Sequence, residues 1–250
     1  MNVSYKGNVV SQPLNSFLAD QETVSARFLD APALREAYRL PGQGGACLSE
    51  QPAYVGWAKR GIDIVGATMF FCVGAPVMAA IAIAIRMTSP GPVLFRQLRI
   101  GASPEWARGE PGLPRTFTIF KFRTMHVSCD HYAITPEDHS DIRITRVGRF
   151  LRRTSLDELP QLFSVLRGDM SLVGPRPEMP FVVKGYKREH RERLLVRPGI
   201  TGLWQLYGSR SRPIHHGMHL DRFYLNCWSF GLDATIIWRT FRFVLRGGNI

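Results

Sequence analysis

The chain has 250 residues, 45% of them apolar, enough to bury a full core in one or two domains. Its formal charge of +12 is unevenly placed: residues 1–58 carry four Lys/Arg against five Asp/Glu, leaving 28 against 15 for the remainder. That balance calls for an anionic partner, namely nucleic acid, anionic lipid head groups or a phosphorylated substrate. The four cysteines, Cys47, Cys72, Cys129 and Cys227, are widely separated and form no CxxC pair, which argues against a disulfide framework or zinc site and predicts free thiols.

Residues 1–56 mix Pro, Gly, Ser and Gln, offer one short helix candidate over 30–40, and read as a mostly disordered tail. No apolar run follows Met1, so no secretory signal is expected. Gly42-Gln-Gly44-Gly45 lacks the preceding strand that a dinucleotide fingerprint requires.

Gly61 to Ile85 is a stretch of 25 residues whose single charge is Asp63. Its length permits a transmembrane helix. Pro76, near the middle, removes a backbone donor and predicts a break, and positive charge flanks both ends as Lys59-Arg60 and Arg86. A spanning helix biases Lys and Arg to one side. The pattern therefore predicts a re-entrant membrane helix over 57–88, with both ends cytoplasmic; a spanning helix and a buried core helix are the alternatives.

After the Ser89-Pro-Gly-Pro92 turn, Val93 to Ile100 and Thr116 to Arg123 read as strands. In Phe120-Lys121-Phe122-Arg123, alternation sets both cations on one face, either toward phosphate or as an ordinary half-exposed strand. The intervening segment from Gly101 to Arg115 is longer than a turn requires.

Ile142 to Leu156 holds five arginines and no acid, and Asp157-Glu158 follows it. Leu159, Leu162, Phe163 and Leu166 are spaced i, i+3, i+4, i+7, and Gly168 suits a C-terminal cap, so a helix is predicted from about Leu156 to Arg167. Pro160 then belongs to its first turns and Asp157 to its N-terminus, where free N–H groups favour anions. Acids beside Arg152, Arg153 and Arg176 suit holding phosphate by charge-assisted bonds. A capping box over Ser155-Leu-Asp-Glu158 accounts for the same letters. Adjacent positions on a helix point about 100° apart, so the two acids take separate roles. Gly174-Pro-Arg-Pro177 holds Arg176 between two rings, as an anion clamp or a surface turn.

Toward the C-terminus, 232–246 predicts a helix with Arg239, Arg242 and Arg246 on one face, lying at a membrane interface or packed on the core. His215-His216-Gly-Met-His219 lacks the glutamate of a zinc protease pattern and reads as loop or surface.

The order of seven motifs carries a resemblance: Lys59-Arg-Gly-Ile-Asp63, Ser89-Pro-Gly-Pro-Val-Leu-Phe-Arg-Gln97, Lys121-Phe-Arg-Thr-Met125, Ile144-Thr-Arg-Val-Gly-Arg149, Ser155-Leu-Asp-Glu-Leu-Pro-Gln161, Gly168-Asp-Met-Ser-Leu-Val-Gly-Pro-Arg-Pro177 and Arg197-Pro-Gly-Ile-Thr-Gly-Leu-Trp-Gln205. From about Trp57 onward the chain resembles the bacterial sugar transferases, which are monotopic polyprenyl-phosphate phosphoglycosyl transferases. Asp221-Arg-Phe-Tyr224 and Asn226-Cys-Trp-Ser229 extend the likeness.

The resemblance implies transfer of a sugar 1-phosphate, galactose or glucose by likeness to exopolysaccharide-initiating members, from a UDP-sugar to polyprenyl (undecaprenyl) phosphate, with release of UMP. It implies Asp157 as nucleophile and metal ligand, Glu158 as its assistant, Arg152, Arg176 and Lys121 on substrate phosphates, Mg2+ as cofactor, and Pro76 as the membrane-helix break. The family breaks its membrane segment at Ser-Pro, where this chain has Ala75-Pro76. The fold class expected is α+β: the re-entrant helix, then over 89–250 a small helix-rich catalytic domain with a short β-hairpin and interfacial amphipathic helices. That domain is expected on the cytoplasmic face of the bacterial inner membrane, with membrane lipids and downstream glycosyltransferases as partners. A membrane-tethered nucleic-acid-binding protein fits less well, lacking any helix-turn-helix or zinc pattern, so no nucleic acid is expected. A glycosidase needs two acids facing across a bond, not adjacent ones.

Overall fold

The computed structural model describes residues 56–129, 141–207 and 217–246. The N-terminal tail with its helix candidate, Cys47, and His215 and His216 lie outside the described residues.

The apolar stretch forms helix α1, Trp57–Thr88, which is helical through Pro76 and ends where the Ser89 N–H reaches the Ile85 carbonyl at 3.0 Å. Burial is confined to its ends. Lys59, Asp63 and Ala67 are buried near the start, and Ile81 and Ile85 near the finish. Between them Met69, Phe70, Phe71, Val73 and Val77 are exposed.

β1 (Leu94–Ile100) pairs antiparallel with β2 (Thr116–Phe122), in register from Leu94 opposite Phe122 to Ile100 opposite Thr116. The expectation of a cationic face on β2 holds for only one of its two cations. Arg123 lies just past the strand, buried, and donates to the Ser89 carbonyl at 2.7 Å and the Pro90 carbonyl at 2.6 Å, pinning the turn after α1. The long segment between the strands is part of the core. It contains helix α2 (Pro104–Arg108), whose Trp106 and Ala107 pack with Ile100, Val183, Tyr186 and Leu194. Its ends are tied by the Gly101 N–H to the Arg115 carbonyl at 2.8 Å.

The arginine run forms α3 (Arg146–Thr154). The helix predicted from Leu156 to Arg167 is two elements: a 3-10 turn over Leu156–Glu158, then α4 over Gln161–Arg167. Pro160 is the reason, since it has no N–H to continue the ladder and becomes the cap of α4. Nor is there a capping box at Ser155, which sits in the left-handed region at φ 54° and whose side chain caps neither the turn nor a helix start. Gly168 does end α4 in the left-handed conformation expected of it.

β3 (Ser171–Val173) and β4 (Gly199–Thr201) form a short parallel pair, Ser171 opposite Gly199 and Val173 opposite Thr201. Between them lie α5 (Pro180–Val183) and a 3-10 segment over Arg188–Leu195. The chain then forms α6 (Leu203–Tyr207), α7 (Met218–Asn226) and α8 (Phe230–Leu245). His219 is exposed on α7. On α8, Leu232, Asp233 and Ile236 face the core while Trp238, Phe241 and Leu245 are exposed. Arg239 donates to the Tyr207 hydroxyl.

Both ends of α1 pack on this one body. At the start, Arg60 donates to the Val165 and Leu166 carbonyls of α4 at 2.6 and 2.8 Å. Asp63 accepts from Ser171 Oγ and the Leu172 N–H, both at 3.0 Å, and Lys59 bridges Asp63 at 3.2 Å and Asp233 of α8 at 2.7 Å. At the finish, Ile81 and Ile85 pack with Phe122 and Leu151.

Candidate active site

The site is assembled from the arginine helix, the second strand and the loop after β3. Thr145 caps α3 by accepting from the Gly148 N–H at 2.9 Å. Gly148 lets α3 approach the backbone of Thr124: a Cβ there would stand 2.0 Å from the Thr124 carbonyl oxygen. On the same helix Leu151 is buried in the core and Arg152 turns inward, its Nε donating to Thr124 Oγ1 at 3.0 Å. The left-handed residue Ser155 then redirects the chain, so that the acid pair follows α3 at once in a tight turn.

Glu158 is buried, and its Oε1 lies 2.5 Å from Lys121 Nζ and 3.7 Å from Arg176 Nη2. Burial pushes its carboxyl up, but Lys121, Arg176 and a hydrogen bond from Gln161 outweigh that and hold it below its ordinary value. Asp157 behaves oppositely. Burial lifts its carboxyl to about 6, opposed by the charge of Lys121, reinforced by Glu158 and opposed again by Arg152. Two adjacent acids thus have divergent acidities because the cations converge on one of them. Arg152 itself is lowered by burial, an effect that Asp157 offsets only in part.

Five expected residues therefore come together here: Asp157, Glu158, Lys121, Arg152 and Arg176. Arg143 does not join them, being held by Asp141 with its Nη2 2.7 Å from the carboxylate. Arg146 and Arg153 are exposed. Sequence reasoning assigned no role to Gln161, Thr124 or Trp204, whose ring lies under the Arg176 guanidinium at 5.7 Å. All three fall inside the quoted motifs, but only the folded chain brings them to the acids. Among the described residues no cluster of three His, Cys, Asp or Glu side chains stands ready for a metal ion.

The arrangement is one buried and one half-buried acid ringed by three cations, suited to charge on a phosphoryl group. The family model described as bacterial sugar transferase matches residues 54–247.

The chain belongs to the bacterial sugar transferase family.

The chain is 38% identical over 206 residues to UDP-N-acetylgalactosamine-undecaprenyl-phosphate N-acetylgalactosaminephosphotransferase of Aeromonas hydrophila, covering 80% of this chain and 46% of the relative. It is 39% identical over 194 residues to UDP-glucose:undecaprenyl-phosphate glucose-1-phosphate transferase of Escherichia coli K12, covering 73% and 39%. A Caulobacter vibrioides protein of that same name is 41% identical over 199 residues, covering 76% and 71%. The chain therefore spans less than half the length of the first two relatives and about seven tenths of the third.

Proposed function

We propose that this sugar transferase moves a sugar 1-phosphate, of galactose or glucose, from a UDP-sugar to undecaprenyl phosphate and so starts an exopolysaccharide or other surface glycan. The observation that carries the reading is the split acid pair. Glu158 is committed to Lys121 and Arg176, while Asp157 forms no ion pair within 4 Å among the described residues. A carboxylate whose pKa is raised by burial is a better nucleophile once ionised than an ordinary one.

In the proposed reaction a carboxylate oxygen of Asp157 attacks the phosphorus that bears the sugar. The bond from that phosphorus to the UMP oxygen breaks, and UMP leaves with the electron pair. An oxygen of the lipid phosphate then attacks the same phosphorus, the bond to Asp157 breaks, and the carboxylate is restored. Arg152, Arg176 and Lys121 hold the phosphate oxygens, and Glu158 keeps Lys121 and Arg176 in place between turnovers. Asp157, which forms no ion pair within 4 Å among the described residues, offers the single carboxylate through which a hard divalent ion binds alongside substrate phosphates, so Asp157 would hold Mg2+ here. Bound there, it would neutralise charge on the diphosphate.

The membrane segment supports the same reading. Helix α1 is long and apolar enough to cross a bilayer by length and composition. Between the buried Ala67 and Ile81, however, only 13 residues lie outside the packed ends. At about 1.5 Å per residue they cover roughly 20 Å, against a hydrocarbon core of roughly 30 Å. Spanning would pull buried Lys59 and Asp63 off the domain and into lipid, at a cost of several kcal/mol. A re-entrant helix leaves both ends, and the domain they pack on, at the cytoplasmic face of the inner membrane. Exposed Trp238 and Phe241 on α8, among Arg239 and Arg242, suit an interface with membrane lipids. The lipid-linked product would pass to downstream glycosyltransferases.

The decisive experiment incubates purified protein with labelled UDP-sugars and undecaprenyl phosphate, following lipid-linked label and UMP. Asp157→Asn is expected to lower transfer by on the order of 1,000-fold or more while membrane association is unchanged. Full activity in that variant, or no product from any nucleotide sugar, refutes the mechanism.

A further inference from the structure

The segment Gly174-Pro-Arg-Pro-Glu178 holds Arg176 at the site, and two of its five residues have no N–H to donate. It cannot brace itself by a ladder, and its carbonyls are instead bound one after another by other parts of the chain. The Gly199 N–H reaches the Pro175 carbonyl at 2.9 Å, Arg193 Nη2 the Arg176 carbonyl at 2.9 Å, Arg99 Nη1 the Pro177 carbonyl at 3.3 Å, and the Ile100 N–H the Glu178 carbonyl at 2.9 Å. At Arg176 itself, the donor to the carbonyl is a single buried side chain.

Arg193 lies in the 3-10 segment and is 3% exposed. Its Nη1 donates to the Tyr186 hydroxyl at 2.9 Å and lies 3.5 Å from Glu178 Oε1. Its Nη2 lies 3.0 Å from Asp221 Oδ2 on α7 while donating to the Arg176 carbonyl. No partner of Arg193 is Asp157 or Glu158. A planar fork is needed to meet four groups in these directions, and a lysine ammonium, a point charge on a flexible stem, cannot reproduce it.

We propose that Arg193 is a positioning residue, which fixes the Arg176 guanidinium against Glu158 and Trp204 by holding the Arg176 carbonyl while Glu178 and Asp221 balance its buried charge. This rests on the phosphate-holding role proposed above for Arg176. Glu178 and Asp221 become parts of one brace joining the loop after β3, the 3-10 segment and α7. The brace shapes the site without touching substrate.

The test is a double-variant cycle on the full chain in detergent, with UDP-sugar and undecaprenyl phosphate, using Arg193→Lys, Arg176→Ala and the pair together. Arg193→Lys is expected to lower kcat/KM for the nucleotide sugar about 10- to 100-fold, the scale of a small misplacement of a reacting group. On the Arg176→Ala background it is expected to change kcat/KM by less than about twofold, because the residue it positions is gone. An equal loss in both backgrounds reveals a general structural defect and overturns the proposal, as does wild-type kcat/KM in Arg193→Lys. If Arg193→Lys does not fold, Asp221→Asn, which loosens the same Nη2, takes its place and must show its loss only while Arg176 is present. An active Asp157→Asn overturns the reading of the site itself. An inactive Asp157→Asn with an additive cycle overturns only the positioning role.

Discussion

At the scale of residues, the site turns on how one aspartate is charged. The Asp157 carboxyl is lifted to about 6, chiefly by burial. The proposed nucleophile is the ionised form, so kcat/KM is expected to rise with pH through an acid limb near 6, about two units above an ordinary aspartate. Rates measured from pH 4.5 to 8 check this, and an acid limb near 4 contradicts it. The same shift has a sign for stability. Because the folded protein holds the Asp157 proton more tightly than the unfolded chain does, its contribution favours folding below pH 4 and is lost as pH rises through 6. Asp157→Asn, fixed in a neutral form, is therefore expected to raise Tm most at pH 8, by about half as much at pH 5, and hardly at all below pH 4. The presence of these acids and of Lys121, Arg152 and Arg176 was legible from their motifs. Their unequal acidities were not, since these depend on Lys121 and Arg176 converging on Glu158 from elements 37 and 18 residues away in sequence.

At the scale of elements, α3 matters through its fit as much as through its arginines. Gly148 packs against the Thr124 backbone, and a methyl group there would overlap the carbonyl. Neither neighbour is a flexible side chain that can swing aside. Gly148→Ala is expected to destabilise the protein by about 1–3 kcal/mol and to reduce transfer by moving Arg152 and the turn that follows. Thermal unfolding and transfer rates of the variant test this, and wild-type values for both contradict it. Periodicity located the apolar positions of the segment after α3 but not its division at Pro160, because Leu159, Leu162, Phe163 and Leu166 keep helical spacing across a break. Likewise the segment between β1 and β2 reads as an unexplained insertion until Trp106 and Ala107 are seen filling the gap beside Tyr186 and Leu194.

At the scale of the whole molecule, the long apolar helix α1 and the domain it packs on are one structure, with Lys59, Asp63 and Asp233 joined in a buried ion-pair network. Trp57 and Met87, at opposite ends of α1, are both exposed. Cysteines placed singly at these two positions, in a background in which Cys47, Cys72, Cys129 and Cys227 are all replaced by alanine, are expected to react with a membrane-impermeant thiol reagent from the same side of sealed vesicles; labelling from opposite sides refutes the re-entrant arrangement. By itself, the sequence determined the apolar segment, the two strands, the order of the motifs and hence the family, because hydropathy, alternation and short motifs are written in neighbouring residues. Only the tertiary structure decided which arginines reach the acid pair, how Arg193 braces Arg176, and that both ends of α1 rest on one domain. Each of these depends on contacts between residues far apart in the chain, where charge and burial act through space and not along the sequence.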